Sequence, residues 1–283
     1  IQFILSSFDM ISAVLPATLR GDFPPETKGF YFQKLMENIH KLDKNQHEVA
    51  VSIPCGPQRI RGLAGSGKTV VLAMKAVSMY LERGDNPDWK ILITYKTKSL
   101  LNTIHHAIRR LVKWHFTENS VEYKTWTDHI FILPSWGSKG KKNGVYSIAC
   151  DEFGHVFQNV RDVSIKHSLT GSQDRFDFAV KDLLADKNIT INPVFEAVFI
   201  DEGQDLPDSF YELCKRLVKE PKIMIIAWDD MQSLQKLELR DAQRLLGKAS
   251  NGEDYTFEGQ YPGEIPKDVV LKTCYRSPRQ VLF

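Results

Sequence analysis

Long apolar runs are missing from this chain of 283 residues: the most apolar stretch, Ile223 to Trp228, is only six residues, against the roughly 20 a membrane helix needs. No transmembrane span and no membrane partner are expected. Cysteine is sparse as well. Cys55, Cys150, Cys214 and Cys274 lie 95, 64 and 60 positions apart, which is neither C-x-x-C metal spacing nor a dense disulfide framework. A reducing, cytoplasmic setting is the expectation. Net charge is nearly absent, +2 from 37 Lys and Arg against 35 Asp and Glu. That balance excludes wholesale neutralisation of phosphate, so any nucleic-acid site has to be a local basic groove. Internal repeats and low-complexity tracts are absent too.

What the chain does contain is ample material for a core, with 42% hydrophobic and 25% charged residues. Its length sits near the upper size for one core, which allows one elaborated domain or two smaller ones. At the N-terminus Ile4, Phe8, Ile11 and Leu15 recur at helical spacing. No basic segment precedes them and Asp9 interrupts them, so residues 1–41 read as a packing helical segment rather than a signal peptide. Ile1 stands where a start methionine would, and an excerpt of a longer or processed chain is expected.

From Gln58 onward, short β-branched runs alternate with longer helical patterns, the signature of βαβ units and a parallel sheet. The patterns predict strands at 58–61, 91–95, 145–149, 197–201, 222–228 and 269–274, with helices at 68–82 and 98–114. Asp208 reads as the cap of a further helix running to about Lys219 and stopped by Pro221. The stretch 134–193 is turn-rich, with Lys139, Lys141 and Lys142 among glycines, and reads as an insertion subdomain carrying a helix near 175–186. The three lysines read as a solvated loop. The turn-rich segment 248–267 is expected to cross the surface between the last two strands. A doubly covered, mostly parallel α/β sheet follows, formed by 42–133 and 194–283.

Residues 62–69, Gly62-Leu-Ala-Gly65-Ser66-Gly67-Lys68-Thr69, match G-x-x-x-x-G-K-[ST] between a predicted strand and a predicted helix. Such a loop curls so that its N–H groups and the helix N-terminus surround a β-phosphate, with the lysine on the β and γ oxygens and the hydroxyl on Mg²⁺. A P-loop needs a second strand bearing carboxylates. Ala197-Val-Phe-Ile-Asp201-Glu202 supplies it, putting Asp201 at the C-terminal edge of a buried strand, where ligands of open α/β sheets collect. Asp201 is then the metal ligand and Glu202 the base. The second acidic dipeptide, Asp151-Glu152, precedes Gly154 and reads as a turn.

Together, Ala64-Gly-Ser-Gly-Lys-Thr69 and Asp201-Glu-Gly-Gln-Asp205 resemble the superfamily 1 helicases of the UvrD/Rep type, and further segments follow in that family's order across 42–283. Leu42 to Ala50 looks like the family's Q motif, which implies adenine recognition by Gln46. Ile91 to Leu100 resembles motif Ia, and Thr125-Trp126-Thr-Asp128-His129 the element after it, with Asp128 at the usual His position or His129 shifted by one. The resemblance implies a single-strand track there, with Tyr95 and Trp126 as stacking platforms and Lys96 and Lys98 on phosphates. Ile225 to Leu234 resembles motif III, with Trp228 replacing the usual glycine and Gln232 as γ-phosphate sensor. Leu271 to Pro278 resembles motif IV, with Cys274 at the usual Asn and Arg276 neutralising γ-phosphate charge.

The resemblance implies a RecA-like P-loop domain that couples Mg-ATP hydrolysis to translocation on, or unwinding of, single-stranded nucleic acid, DNA favoured over RNA. ATP and Mg²⁺ are the implied cofactors. Motifs V and VI do not appear before Phe283, so a second RecA-like domain beyond it is an implied partner, and this part alone should hydrolyse weakly. Two other functions fit the same residues: the motor of an ATP-dependent nuclease or anti-phage effector, with an upstream nuclease domain, and a nucleotide-gated nucleic-acid-binding module without productive hydrolysis.

Overall fold

Alternation along each predicted strand sends neighbouring side chains to opposite faces, and a strand apolar at every position must be covered on both. The computed structural model, which describes residues 44–83, 86–97, 100–116, 118–169, 173–229 and 240–273, bears this out. Six strands form one sheet: β1 (Gln58–Gly62), β2 (Ile91–Tyr95), β3 (Ile130–Pro134), β4 (Phe195–Ile200), β5 (Val218–Asp229) and β8 (Asp268–Leu271). Their order is β3-β2-β4-β5-β1-β8, and every neighbouring pair is parallel. A small antiparallel ribbon, β6 (Gln260–Tyr261) with β7 (Ile265–Pro266), lies on the crossing into β8.

Ile91, Ile93 and Tyr95 of β2, Ala197 and Phe199 of β4, and Ile225 and Ala227 of β5 fill a core on one face. There α1 (Lys44–Val51), α2 (Lys68–Glu82), α3 (Leu100–His115) and α4 (Val121–His129) cover them. The side chains of α3 show how: Ile104, Ala107, Ile108, Leu111 and Val112 are buried, a stripe of helical period. The alternate residues Leu92, Val198, Ile200, Met224, Ile226 and Trp228 face a second core. It is covered by α5 (Val145–Phe153), α7 (Arg175–Ala185), α8 (Asp208–Leu217) and α9 (Ala242–Leu246), with α6 (Val160–Lys166) packed beside α7. The chain thus has the α/β architecture of a RecA-like P-loop domain, with the 134–193 stretch contributing Val145, Tyr146, Phe176 and Leu183 to the second core.

Several expectations need correction. Residues 145–149 are the start of helix α5, not a strand; a short apolar run has no period of its own, and the burial of Val145, Tyr146, Ala149 and Cys150 is that of one helix face. Asp151 and Glu152 are exposed in its last turn, which left-handed Gly154 closes. The edge strand β3, absent from the predicted set, pairs with β2. Asp208 opens α8 with Pro207 at the cap position, and the helix ends at Leu217, ahead of Pro221. Pro221 sits where β5 bulges: Val218 pairs with Phe195 and Ile223 with Ala197, leaving the residues between them off the ladder. Residues 1–41, Lys98, Gln232, Cys274 and Arg276 lie outside the described residues.

One buried charge ties α1 to α2. Lys75 of α2 is fully buried and its ammonium donates to the Ser52 carbonyl just past α1. Burial pulls its pKa from 10.5 down to about 7. Between those values the unfolded chain holds the proton that the folded chain has lost, so stability rises with pH across the window and the penalty is complete below about pH 7. Lys75→Met is therefore expected to gain more at pH 6 than at pH 9, by roughly 3 kcal/mol. Urea unfolding at the two pH values measures it, and an equal effect at both would show that folding does not shift the Lys75 pKa.

Candidate functional site

Parallel strands deliver all their C-terminal ends to one edge, and the predicted phosphate and carboxylate residues meet there because β4, β5 and β1 are adjacent. Gly62 ends β1, Gly65 and Ser66 lie in the loop after it, and Lys68 opens α2. Gly67, at the N-cap of α2, has φ 89° and ψ 13°, and a Cβ there would come within 3.1 Å of the Gln46 side-chain nitrogen. Both the left-handed backbone and the close approach call for glycine. Gln46, on α1, is buried and donates from Nε2 to the Ser66 carbonyl at 2.6 Å. The buried Ser66 hydroxyl, by contrast, has no hydrogen-bond partner among the described residues.

Lys68 is 5% exposed. Its ammonium donates to the Gly62 carbonyl at 2.8 Å and the Leu63 carbonyl at 3.1 Å, and faces the Asp229 carboxylate at 3.4 Å. Asp229 is a site residue to which the sequence reading gives no role, although it stands next to Trp228 at the aspartate position of the segment that resembles motif III. It ends β5 in register with Gly62. The Thr69 hydroxyl donates to Asp201 Oδ2 at 2.8 Å, and the Glu202 amide to Oδ1 at 3.1 Å. Asp201 is fully buried just past the end of β4, and burial raises its pKa to about 6 despite the Thr69 hydrogen bond. A hydroxyl beside a desolvated carboxylate is an all-oxygen pair suited to a hard divalent cation. Among the described residues no three His, Cys, Asp or Glu side chains cluster as a metal cage.

Glu202 follows in a left-handed conformation, φ 51° and ψ 49°, rare for a non-glycine residue. Its side chain is half-buried, so the two adjacent carboxyl groups differ: Asp201 is fully buried with both oxygens accepting hydrogen bonds, while Glu202 is partly open and accepts at Oε2 from Gln204 Nε2 at 2.7 Å. Of the three nucleic-acid candidates, only Lys96 is exposed, on the same edge as the loop, with its ammonium on the Asp205 carbonyl at 2.7 Å. Tyr95 and Trp126 are corrected. Tyr95 is 0% exposed in an interior strand of the sheet, its alternation turning it into the first core, where burial lifts its phenol to about 12. Trp126 is 4% exposed on α4, packed on His105 of α3 with ring centroids 5.2 Å apart. Neither ring presents a face to a base.

Away from this edge, an apolar cavity of about 200 Å³ opens beside the starts of β2 and β4, between Leu92, Phe131, Phe195 and the α5 residues Ala149 and Phe153. Among the described residues no helix is long and apolar enough to cross a membrane. No protein family and no curated protein matches the chain. Among solved structures, it is similar to the DUF1998 helicase MrfA bound to DNA, at TM-score 0.42 and 10% identity over 89% of this chain, which spans 30% of that one.

Proposed function

We propose that this chain is the ATP-binding domain of a superfamily 1 helicase of the UvrD-like type, an ATPase whose Mg-ATP hydrolysis drives movement along single-stranded nucleic acid, DNA in preference to RNA. The observation that carries this is the meeting of Lys68, Thr69, Asp201 and Glu202 at one sheet edge, with Thr69 and Asp201 2.8 Å apart. Lys68 would exchange its loop carbonyls for β and γ oxygens, and the loop amides from Gly65 to Lys68 would cradle the phosphates. Thr69 and Asp201 would hold Mg²⁺, which when bound neutralises phosphate charge. Glu202 would orient the attacking water and take its proton as the bond to the γ-phosphorus forms and the bond to ADP breaks. From the family resemblance, Gln46 would read adenine, while Gln232 and Arg276 would sense and neutralise the γ-phosphate.

Lys96, exposed beside this edge, is the remaining candidate for a strand contact. A second RecA-like domain would complete the cleft. Steady-state Mg-ATP hydrolysis by the full-length protein, with and without single-stranded DNA and RNA, tests the proposal. Stimulation by DNA above that by RNA is expected. Turnover indifferent to both strands would remove the motor, and nucleotide binding without turnover would leave a nucleotide-gated module.

A further inference from the structure

We infer that Gln204 is a positioning residue for Glu202, holding the base between the end of β5 and the phosphate loop. This deepens the ATPase proposal and rests on it. Glu202 occupies a backbone conformation that an L side chain rarely adopts, and such a residue persists only where its surroundings over-determine it. The backbone after it is pinned. Gly203 opens a single 3₁₀ turn, Gly203–Asp205, where a Cβ would stand 2.5 Å from Tyr211 Oη and 2.9 Å from Ile226 Cγ2. The same buried hydroxyl donates to the Gly203 carbonyl at 2.8 Å. Arg240 then closes the turn from the far side, donating to the Gln204 carbonyl at 2.9 Å and the Leu206 carbonyl at 2.7 Å.

On this fixed turn the Gln204 side chain spans two groups of opposite demand. Its Nε2 donates to Glu202 Oε2 at 2.7 Å, and its Oε1 accepts from the Asp229 amide at 3.0 Å. A backbone N–H requires an acceptor and a carboxylate requires a donor, and an amide side chain supplies one of each. The two contacts also fix which end of the amide points where. Glutamate at 204 could still accept from Asp229 but would set a second carboxylate against Glu202, while alanine would make neither contact. Asp229 is the residue whose carboxylate faces Lys68, so one side chain ties the base to the strand end that meets the P-loop lysine.

The test is made on the full-length protein with single-stranded DNA, measuring kcat and the affinity for a fluorescent ATP analogue. For Gln204→Glu and Gln204→Ala, kcat is expected to fall about 100-fold, as a misplaced reacting group does, with analogue affinity within about threefold. Retained affinity also shows that the variants fold. Should the acidic variant fail to fold, Gln204→Ala carries the same comparison. In a Glu202→Gln background, Gln204→Ala should lower the residual kcat by less than about twofold, since a residue acting only through Glu202 loses its effect when the base is gone. Wild-type kcat in Gln204→Ala, or a full additive loss in the double variant, overturns the Gln204 assignment. Turnover that survives Glu202→Gln overturns instead the assignment of Glu202 as base, and the positioning role with it.

Discussion

Replacing Glu202 by glutamine is expected to leave Mg-ATP binding within about threefold of wild type while cutting turnover about a thousandfold, the middle of the range for a general base. That loss is roughly 4 kcal/mol of transition-state stabilisation. The substitution is nearly isosteric, and its amide oxygen can still accept the hydrogen bond that Gln204 donates at 2.7 Å. Binding should survive because the groups assigned to phosphate and metal, Lys68, Thr69 and Asp201, are untouched. Asp201 is poorly placed to substitute: it is fully buried, with Oδ2 engaged by Thr69 and Oδ1 by the Glu202 amide. Single-turnover hydrolysis beside equilibrium binding of the fluorescent analogue separates the two effects. A variant that turns over at the wild-type rate would place the base elsewhere.

Lys68→Ala should act on binding instead, raising the dissociation constant for the analogue at least about 100-fold, near 3 kcal/mol. The same change removes the cation facing Asp229, which is buried at the end of β5. Breaking one half of such a pair destabilises by about 3–5 kcal/mol at the upper end, so a loss of binding alone could reflect unfolding. Adding Asp229→Asn separates the causes. The double variant should recover much of the lost thermal stability and none of the nucleotide affinity. Recovery of binding in the double variant would mean that Lys68 serves the fold at this site and not the phosphate.

Motifs whose chemistry is local are legible in the order of residues. The run 62–69 can do its work only between a strand and a helix, and it lies there. Asp201 and Glu202 follow an apolar run that has to be a buried strand, and β4 is one. Helix α2 matches its predicted span of 68–82: it is entered through left-handed Gly67 and buried without a break from Val71 to Val77. The failures share a physical cause. Residues 145–149 are apolar without a period, so strand and helix fit them equally until Gly144 and the second core select a helix face. Tyr95 and Trp126 fail as stacking platforms because aromatic composition is the same for a ring that meets a base and for one that fills a core.

Residue types and their spacing along the chain were sufficient for the fold class, the glycine-rich turn between strand and helix and the acidic pair at a strand end, because each of these depends on neighbours within a few positions. Orientation and partnership came from elsewhere. Which face Tyr95 occupies depends on β2 lying between β3 and β4. The meeting of Lys68 with Asp229 spans 161 positions, and that of Gln204 with the Asp229 amide spans 25. Strand order and register bring such groups within hydrogen-bond distance. Those are set by the packing of two cores on one sheet, a sum over many distant contacts that no local stretch of sequence encodes.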